Sequence, residues 1–214
     1  MSNDTLHKDD CELCERLQKH LSKTKNEYQA YWCKPVPSFG AVAPGLLIVG
    51  LAPGKHGANA TGRPFTGDYA GELLYKTLYK FGFSTHPTSV SVDDELLLRD
   101  CRIVNAVKCL PPENKPKTEE VINCNSFLAS EIMQIKTNGV IIALGTVAHN
   151  AVLRAIKSKL SRYKFSHGGV HFLDDISLTL IDSYHCSRYN TQTKRLTTGM
   201  FEEIFRNAKE ILRS

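Results

Sequence analysis

Four short runs of the chain are apolar, and amphipathic stretches with helical spacing follow them. The runs are Leu46-Leu47-Ile48-Val49, "CRIVNAVK" at 101–108, "GVIIALG" at 139–145 and "SLTLIDSYH" at 177–185. An unbroken apolar run of this length fits a parallel strand buried on both faces. In "AGELLYKTLYKFG", Leu73, Leu74, Leu78 and Phe81 recur at helical spacing and Gly82 closes the turn. Thr118 has the chemistry of a helix N-cap with Glu119 and Glu120 in the first turn. "TVAHNAVLRAIKSKL" continues directly from the third run, and a last helix is expected from about Gly199 to Leu212. Near the start, "DCELCERLQKHLS" at 10–22 reads as a short helix bearing two cysteines, and the Pro-rich "KPVPSFGAVAPG" after it as extended or irregular chain.

Strands and helices thus alternate four times. The pattern predicts a three-layer α/β/α fold with a central, mostly parallel four-stranded sheet, in one domain over residues 1–214. Ligands on such sheets sit at the carboxyl ends of the strands. Residues 50–71, 105–114 and 185–195 all follow strand ends and are expected to meet at one crevice. No apolar run approaches the ~20 residues that span a membrane, so a soluble cytoplasmic protein without a membrane partner is expected.

The first of these segments, "GLAPGKHGANATGRPFTGDYAG", contains six glycines. Such backbone can approach a ligand closely. It is not a P-loop, because Lys55 is followed by His56, and it holds no Gly-x-Gly of the dinucleotide fingerprint. Asn59, Arg63, Phe65 and Asp68 instead give it the composition of a pocket with a flat apolar wall and a few polar groups.

Charge changes the picture through its distribution. The formal net charge is +5, but residues 145–173 and 183–200 contain no Asp or Glu. The second stretch holds Arg188, Lys194 and Arg195. Such clusters suit DNA or RNA, and equally a solvated helix face. Seven cysteines cannot all pair within one chain. Metal ligation is the better account of Cys11 and Cys14, which form a C-x-x-C, and Cys109 and Cys124, which flank "LPPENKPKTEEVIN", could supply the other two ligands. Spacing alone favours zinc at least as much as iron and sulfide. Cys33, Cys101 and Cys186 remain as structural thiols.

Taken in order, the glycine loop, "NAVKCLPPENKPKTEE", "ALGTVAHNAVLRA" and "SYHCSRYNTQTKRLTTGMFEEIF" resemble family 5, or type B, of the uracil-DNA glycosylase superfamily, from Cys11 to the end of the chain. The resemblance implies a 4Fe-4S cluster on Cys11, Cys14, Cys109 and Cys124. It also implies hydrolytic removal of uracil, and of other deaminated bases such as hypoxanthine and xanthine, from DNA by a monomer acting at the nucleoid. The base must first be flipped out of the duplex. By this resemblance Phe65 stacks on the flipped base beside Gly54, His185 donates to the leaving base, and Asp68 positions the attacking water or stabilises the sugar cation. Asn114 is a further catalytic residue, while Asn190 and Gln192 lie near the base and the DNA backbone. Ser187, Lys194 and Arg195 are expected on phosphates, Arg188 and Tyr189 in the gap left by the base, and Lys55 and His56 on the opposite rim.

Each residue also has a plainer account. Phe65 can be core, His185 a satisfied core histidine, Asp68 an N-cap and Asn114 a turn residue. Two departures matter. The motif Gly50-Leu51-Ala52-Pro53-Gly54 lacks the polar residue that other branches place after its first glycine, which leaves Asp68 as the water-activating group. Cys186 replaces the usual proline of the His-Pro-Ser motif. Asn105 stands where other branches read uracil, and its amide can face O4 and N3–H of the pyrimidine. An inactive iron-sulfur nucleic-acid-binding module and a nucleoside hydrolase are the competing functions.

Overall fold

The computed structural model describes residues 10–213. Residues 1–9 and 214, part of the expected single domain, lie outside the described residues. Strands β1 (Phe39–Gly40), β2 (Leu46–Gly50), β3 (Cys101–Asn105), β4 (Val140–Leu144), β5 (Val170–Leu173) and β6 (Leu178–Ser183) form one sheet in the order β1-β3-β2-β4-β6-β5. The four expected strands make its parallel centre, and β1 and β5 close the edges antiparallel. The sheet is therefore six-stranded and not four-stranded. Both additions lack an apolar signature: β1 is two residues in a Pro/Gly-rich stretch, and β5 leaves Val170 and Phe172 exposed.

Alternate residues of the buried strands point to opposite faces. Leu47, Val49, Val104, Ile141 and Leu180 pack against α1 (Glu15–Glu27), α4 (Thr118–Ile132) and α5 (Thr146–Ala155). Leu46, Ile48, Ile103, Ile142 and Ile181 face α3 (Tyr69–Lys80) and α7 (Thr198–Ile211), whose Leu74, Leu78, Phe201 and Phe205 are fully buried. Truncating any one of these aliphatic side chains to alanine costs about 2–5 kcal/mol. Two shorter helices, α2 (Ala58–Thr61) and α6 (Arg188–Gln192), lie within the segments that follow β2 and β6.

Three local expectations are corrected. The first helix begins after the cysteine pair, not before it: Cys14 is the N-cap of α1 and Cys11 precedes it. This frees both thiols from the helix surface. Thr118 is the first residue of α4 and Lys117 occupies the cap, because the Glu120 carboxylate folds back onto the Lys117 N–H at 2.7 Å. Glu120 also takes a two-pronged contact from Arg16 at 2.7 and 2.8 Å, which fastens α1 to α4. Finally, part of the loop expected at 187–195 is α6, capped by the Ser187 hydroxyl.

Candidate active site

The register Gly50↔Asn105 brings the ends of β2 and β3 side by side. A Cβ on Gly50 would run into Asn105 Oδ1 and come within 2.7 Å of the Phe65 ring, so glycine is what lets those side chains meet over the strand end. Phe65 has φ 55, a left-handed conformation rare for a bulky residue. Its carbonyl fills the space where a Cβ on Gly71 would lie, at the start of α3. The motif "FTGDYAG" thus encodes a strained aromatic held by a helix start. The Phe65 ring is 6% exposed and faces the His185 imidazole with centroids 6.1 Å apart and planes at 26°.

Asp68 caps α3: its Oδ1 accepts the Gly71 N–H at 2.8 Å. Oδ2 is turned toward Gly57 and Gly54, where added Cβ atoms would lie 2.7 and 3.5 Å from it. Burial raises the carboxyl above its usual range, against the backbone hydrogen bonds that lower it. One oxygen of the carboxylate thus caps the helix while the other is turned to a glycine-lined space.

His185 follows β6 and is half-buried. Burial pulls its pKa down to about 4, so the ring is neutral at neutral pH. A Cβ on Gly145, which has φ 96 at the end of β4, would stand 3.7 Å from His185 Cβ. Asn190 reaches back from α6 and donates Nδ2–H to the His185 carbonyl at 2.8 Å. That hydrogen bond makes Asn190 a brace of the histidine loop. Cys186, where proline is usual, is fully buried with its thiol 3.5 Å from the Ala70 carbonyl.

Asn105 is 6% exposed, and its Oδ1 has no hydrogen-bond partner among the described residues. A buried, unpaired amide is uncommon in a finished fold and is what a ligand edge would satisfy. Ala in place of Gly50 is expected to displace both Asn105 and Phe65. The activity that the resemblance implies should then fall at least tenfold in a single-turnover assay, while β2 still pairs.

Other residues lie farther out. Asn114 is exposed in a 3₁₀ turn (Pro112–Asn114) with φ 56 and makes no side-chain hydrogen bond among the described residues. Arg188 stacks 5.1 Å from the Tyr69 ring, Tyr189 is 70% exposed, and Gln192, Lys194 and Arg195 are exposed. Lys55 lies over Tyr28 at 4.7 Å and His56 Nδ1 meets Tyr31 Oη at 2.9 Å.

Asn59 and Arg63, expected in the pocket, are not there. Asn59 is fully buried beneath the loop, with Nδ2 3.5 Å from the Lys55 carbonyl and Cys33 Sγ. Arg63 is bound to Asp94 at 2.6 Å, Ser89 at 3.0 Å and the Val92 carbonyl at 2.8 Å, and lies over Phe39. The buried guanidinium finds a partly buried carboxylate from a distant segment and pins residues 89–94 to the loop. Gly50 and the bracing role of Asn190 are the features that sequence reasoning missed. Both depend on register and on through-space contacts that no local pattern encodes.

Cys11, Cys14, Cys109 and Cys124 all line one small cavity, with Leu17, Val107 and Phe127 around them. Burial raises the Cys109 and Cys124 thiols, the latter to about 11. The Lys108 backbone N–H and the Asn123 amide point at Cys124 Sγ and Cys14 Sγ at 3.4 and 3.5 Å. Donors aimed at sulfur suit thiolates, which these groups become only when a metal replaces their protons.

The sequence profile of the uracil DNA glycosylase superfamily matches residues 37–209. The chain is 41% identical over 206 residues to the type-5 uracil-DNA glycosylase of Thermus thermophilus, covering 94% of this chain and 93% of the relative. It is 40% identical over 202 residues to that of Pyrobaculum aerophilum (92% and 87% covered). It is also 40% identical over 209 residues to that of Mycobacterium leprae (94% and 91% covered). With identity running through nearly its whole length and the glycine loop, strand-end amide and histidine loop meeting at one crevice, this chain belongs to the uracil DNA glycosylase superfamily, among its type-5 members.

Proposed function

We propose that the protein is a monofunctional DNA-repair glycosylase that takes uracil out of the duplex and hydrolyses its bond to deoxyribose, leaving an abasic site. The observation that carries the reading is the strand-end arrangement of Phe65, His185 and the unpaired Asn105 amide around Gly50. A flat face, a neutral donor and a two-sided amide are what an extruded pyrimidine needs. Phe65 takes the ring face above Gly54, and Asn105 reads O4 and N3–H.

As the C1′–N1 bond breaks, negative charge moves onto the base and positive charge onto the sugar. His185 donates a ring N–H to a base carbonyl oxygen, a preorganised contact that strengthens as charge develops. Asp68 Oδ2 holds the attacking water or faces the sugar cation; the water's oxygen bonds to C1′ and its proton leaves through the carboxylate. Asn114 supplies a second polar contact to the nucleotide from the rim. Arg188 and Tyr189 enter the gap in the duplex, and Ser187, Gln192, Lys194 and Arg195 follow the backbone, with Asn190 beside the base through the loop it braces. The same pocket accepts hypoxanthine and xanthine, and the protein works as a monomer in the cytoplasm on nucleoid DNA.

Labelled oligonucleotides carrying one uracil, hypoxanthine or xanthine, followed by alkaline strand cleavage, test this directly. Base release from uracil DNA and none from free deoxyuridine is the expected result. Binding without release from any substrate points to an inactive module. Asn105→Ala should lower the ratio of uracil to hypoxanthine release; an unchanged ratio removes Asn105 from base discrimination.

Cys11, Cys14, Cys109 and Cys124 are proposed to hold a 4Fe-4S cluster that fixes α1 and residues 109–124 to the domain. The reading is supported by the four cysteines lining one cavity, a donor set that fits iron and sulfide and equally fits zinc. When bound, the cluster supplies structural cross-linking and no bond-breaking chemistry. Cys109→Ser is expected to lose iron and sulfide on analysis and to melt well below the parent protein. Stoichiometric zinc in a colourless parent protein overturns the assignment.

A further inference from the structure

Next to the base site lies a second cavity, of about 540 Å³, separated from it by the adjoining pairs Gly145-Thr146 and Tyr184-His185. Thr146, Phe165, Ser166, His167, Tyr184 and Arg195 line it. We propose that this cavity is a second nucleotide subsite, which takes the nucleotide next to the extracted one and holds its phosphodiester through Arg195, His167 Nε2–H and the hydroxyls of Thr146 and Ser166. The proposal rests on the glycosylase reading and extends it to a site that base recognition does not require.

Three rings and planes are layered along its wall. His167 stacks on Tyr184 at 4.9 Å and 11°, and the Arg195 guanidinium covers Tyr184 at 4.5 Å. The Tyr184 backbone N–H donates to His167 Nδ1 at 3.1 Å. In a neutral ring the proton then sits on Nε2, and burial, which lowers the His167 pKa, favours that neutral form. His167 Nε2, Arg195 and the Thr146 and Ser166 hydroxyls make no hydrogen bond or ion pair among the described residues. No carboxylate lines the cavity. A set of donors without a competing acid selects an anion, and the volume exceeds what a lone phosphate fills.

The wall is built rather than incidental. Asp182, fully buried on β6, accepts from His149 Nδ1 at 2.7 Å, from His171 Nε2 at 3.1 Å and from the Ser166 N–H at 3.3 Å. His149 Nε2 faces the Tyr163 carbonyl at 3.1 Å. Both nitrogens of His149 therefore face acceptors, and although burial lowers its pKa the Asp182 carboxylate raises it above the ordinary histidine value, which favours the doubly protonated ring. Backbone bonds from Gly168 N–H to the Asp182 carbonyl and from Asp182 N–H to the Gly169 carbonyl, each 2.9 Å, complete the anchor. Residues 163–169 are thus fixed to β6 three positions before His185.

The test uses duplexes with one uracil in which each phosphodiester near it is replaced in turn by an uncharged methylphosphonate. Kd and single-turnover uracil release are measured for the wild-type protein, Arg195→Gln and His167→Phe. Arg195 is exposed, so its replacement leaves folding intact, and Phe keeps the stack on Tyr184 while removing the Nε2 donor together with the acceptor of the Tyr184 N–H. One position is expected to cost the wild-type protein about tenfold in Kd, as for a hydrogen bond to a charged group. The same replacement should cost each variant less than about twofold, and Arg195→Gln should reduce the salt slope of log K by about one. Equal losses in wild type and both variants at every position overturn the subsite. Kd is read on the same duplexes with a 2′-fluoro group on the uridine sugar, which resists release, so failure of the wild type to release uracil from the unmodified duplex counts against the glycosylase reading, while the coupling still decides the subsite.

Discussion

Replacing Asp68 with Asn is expected to slow single-turnover uracil release by about 10²–10⁴-fold. Its melting temperature at neutral pH should be equal to or slightly above that of the wild type. The two roles of this side chain make the substitution informative. As N-cap it accepts the Gly71 N–H, and Asn caps a helix about as well as Asp does. What Asn removes is the charge on Oδ2. Burial raises the Asp68 pKa above its unfolded value, so the folded protein binds this proton more tightly than the unfolded chain does. The stability it contributes is present below the unfolded pKa, about 3.9, and is lost as pH rises through the folded value. At neutral pH the ionised group is therefore a burden on the fold, which Asn relieves. Loss of rate without loss of stability marks a group kept for chemistry. A lower melting temperature with little change in rate would assign Asp68 to capping alone.

The parallel centre of the fold was legible because β2 and β4 are buried on both faces and so read as unbroken apolar runs. The edges were not, since β5 exposes Val170 and Phe172 to solvent and β1 is too short for any periodicity. The acid-free residues 145–173 told half of the electrostatic story. The chain resumes with Asp174 and Asp175, and both carboxylates take Arg162 at 3.1 and 3.0 Å, so that arginine is spent within its own domain. Arg195 has no carboxylate partner among the described residues and lies over Tyr184 instead. At the site, motif order identified Phe65, Asp68 and His185 as candidates, but their mutual geometry depends on Gly50 meeting Asn105 across two strands 55 positions apart in sequence. Arg63 misled for the same reason. Its partner Asp94 is unremarkable in sequence and is brought in only by the path of residues 89–94.

His185→Ala is expected to lower single-turnover uracil release by about 10²–10³-fold, the cost of removing one preorganised donor to a developing anion. Duplex binding in the same variant should change far less, because the phosphate contacts proposed above lie on other residues. The pH dependence separates a neutral donor from a cationic one. With its pKa near 4, His185 does not change charge between about pH 6 and 8. In the Asp68→Asn background, where the carboxylate no longer titrates, the residual rate should show no inflection near the ordinary histidine value of about 6.5. An inflection there would make the working donor an imidazolium and reverse the assignment. Stability carries an independent signature of the same shift. The unfolded histidine binds a proton that the folded one rejects, so His185 contributes stability above about pH 6.5 that is lost as pH falls toward 4. In His185→Phe, which fills the space beside Phe65 without titrating, the melting temperature should fall less steeply than in the wild type across that window. A ring that is desolvated enough to stay neutral, yet costs stability whenever it is protonated, is suited to donating a hydrogen bond as a neutral group.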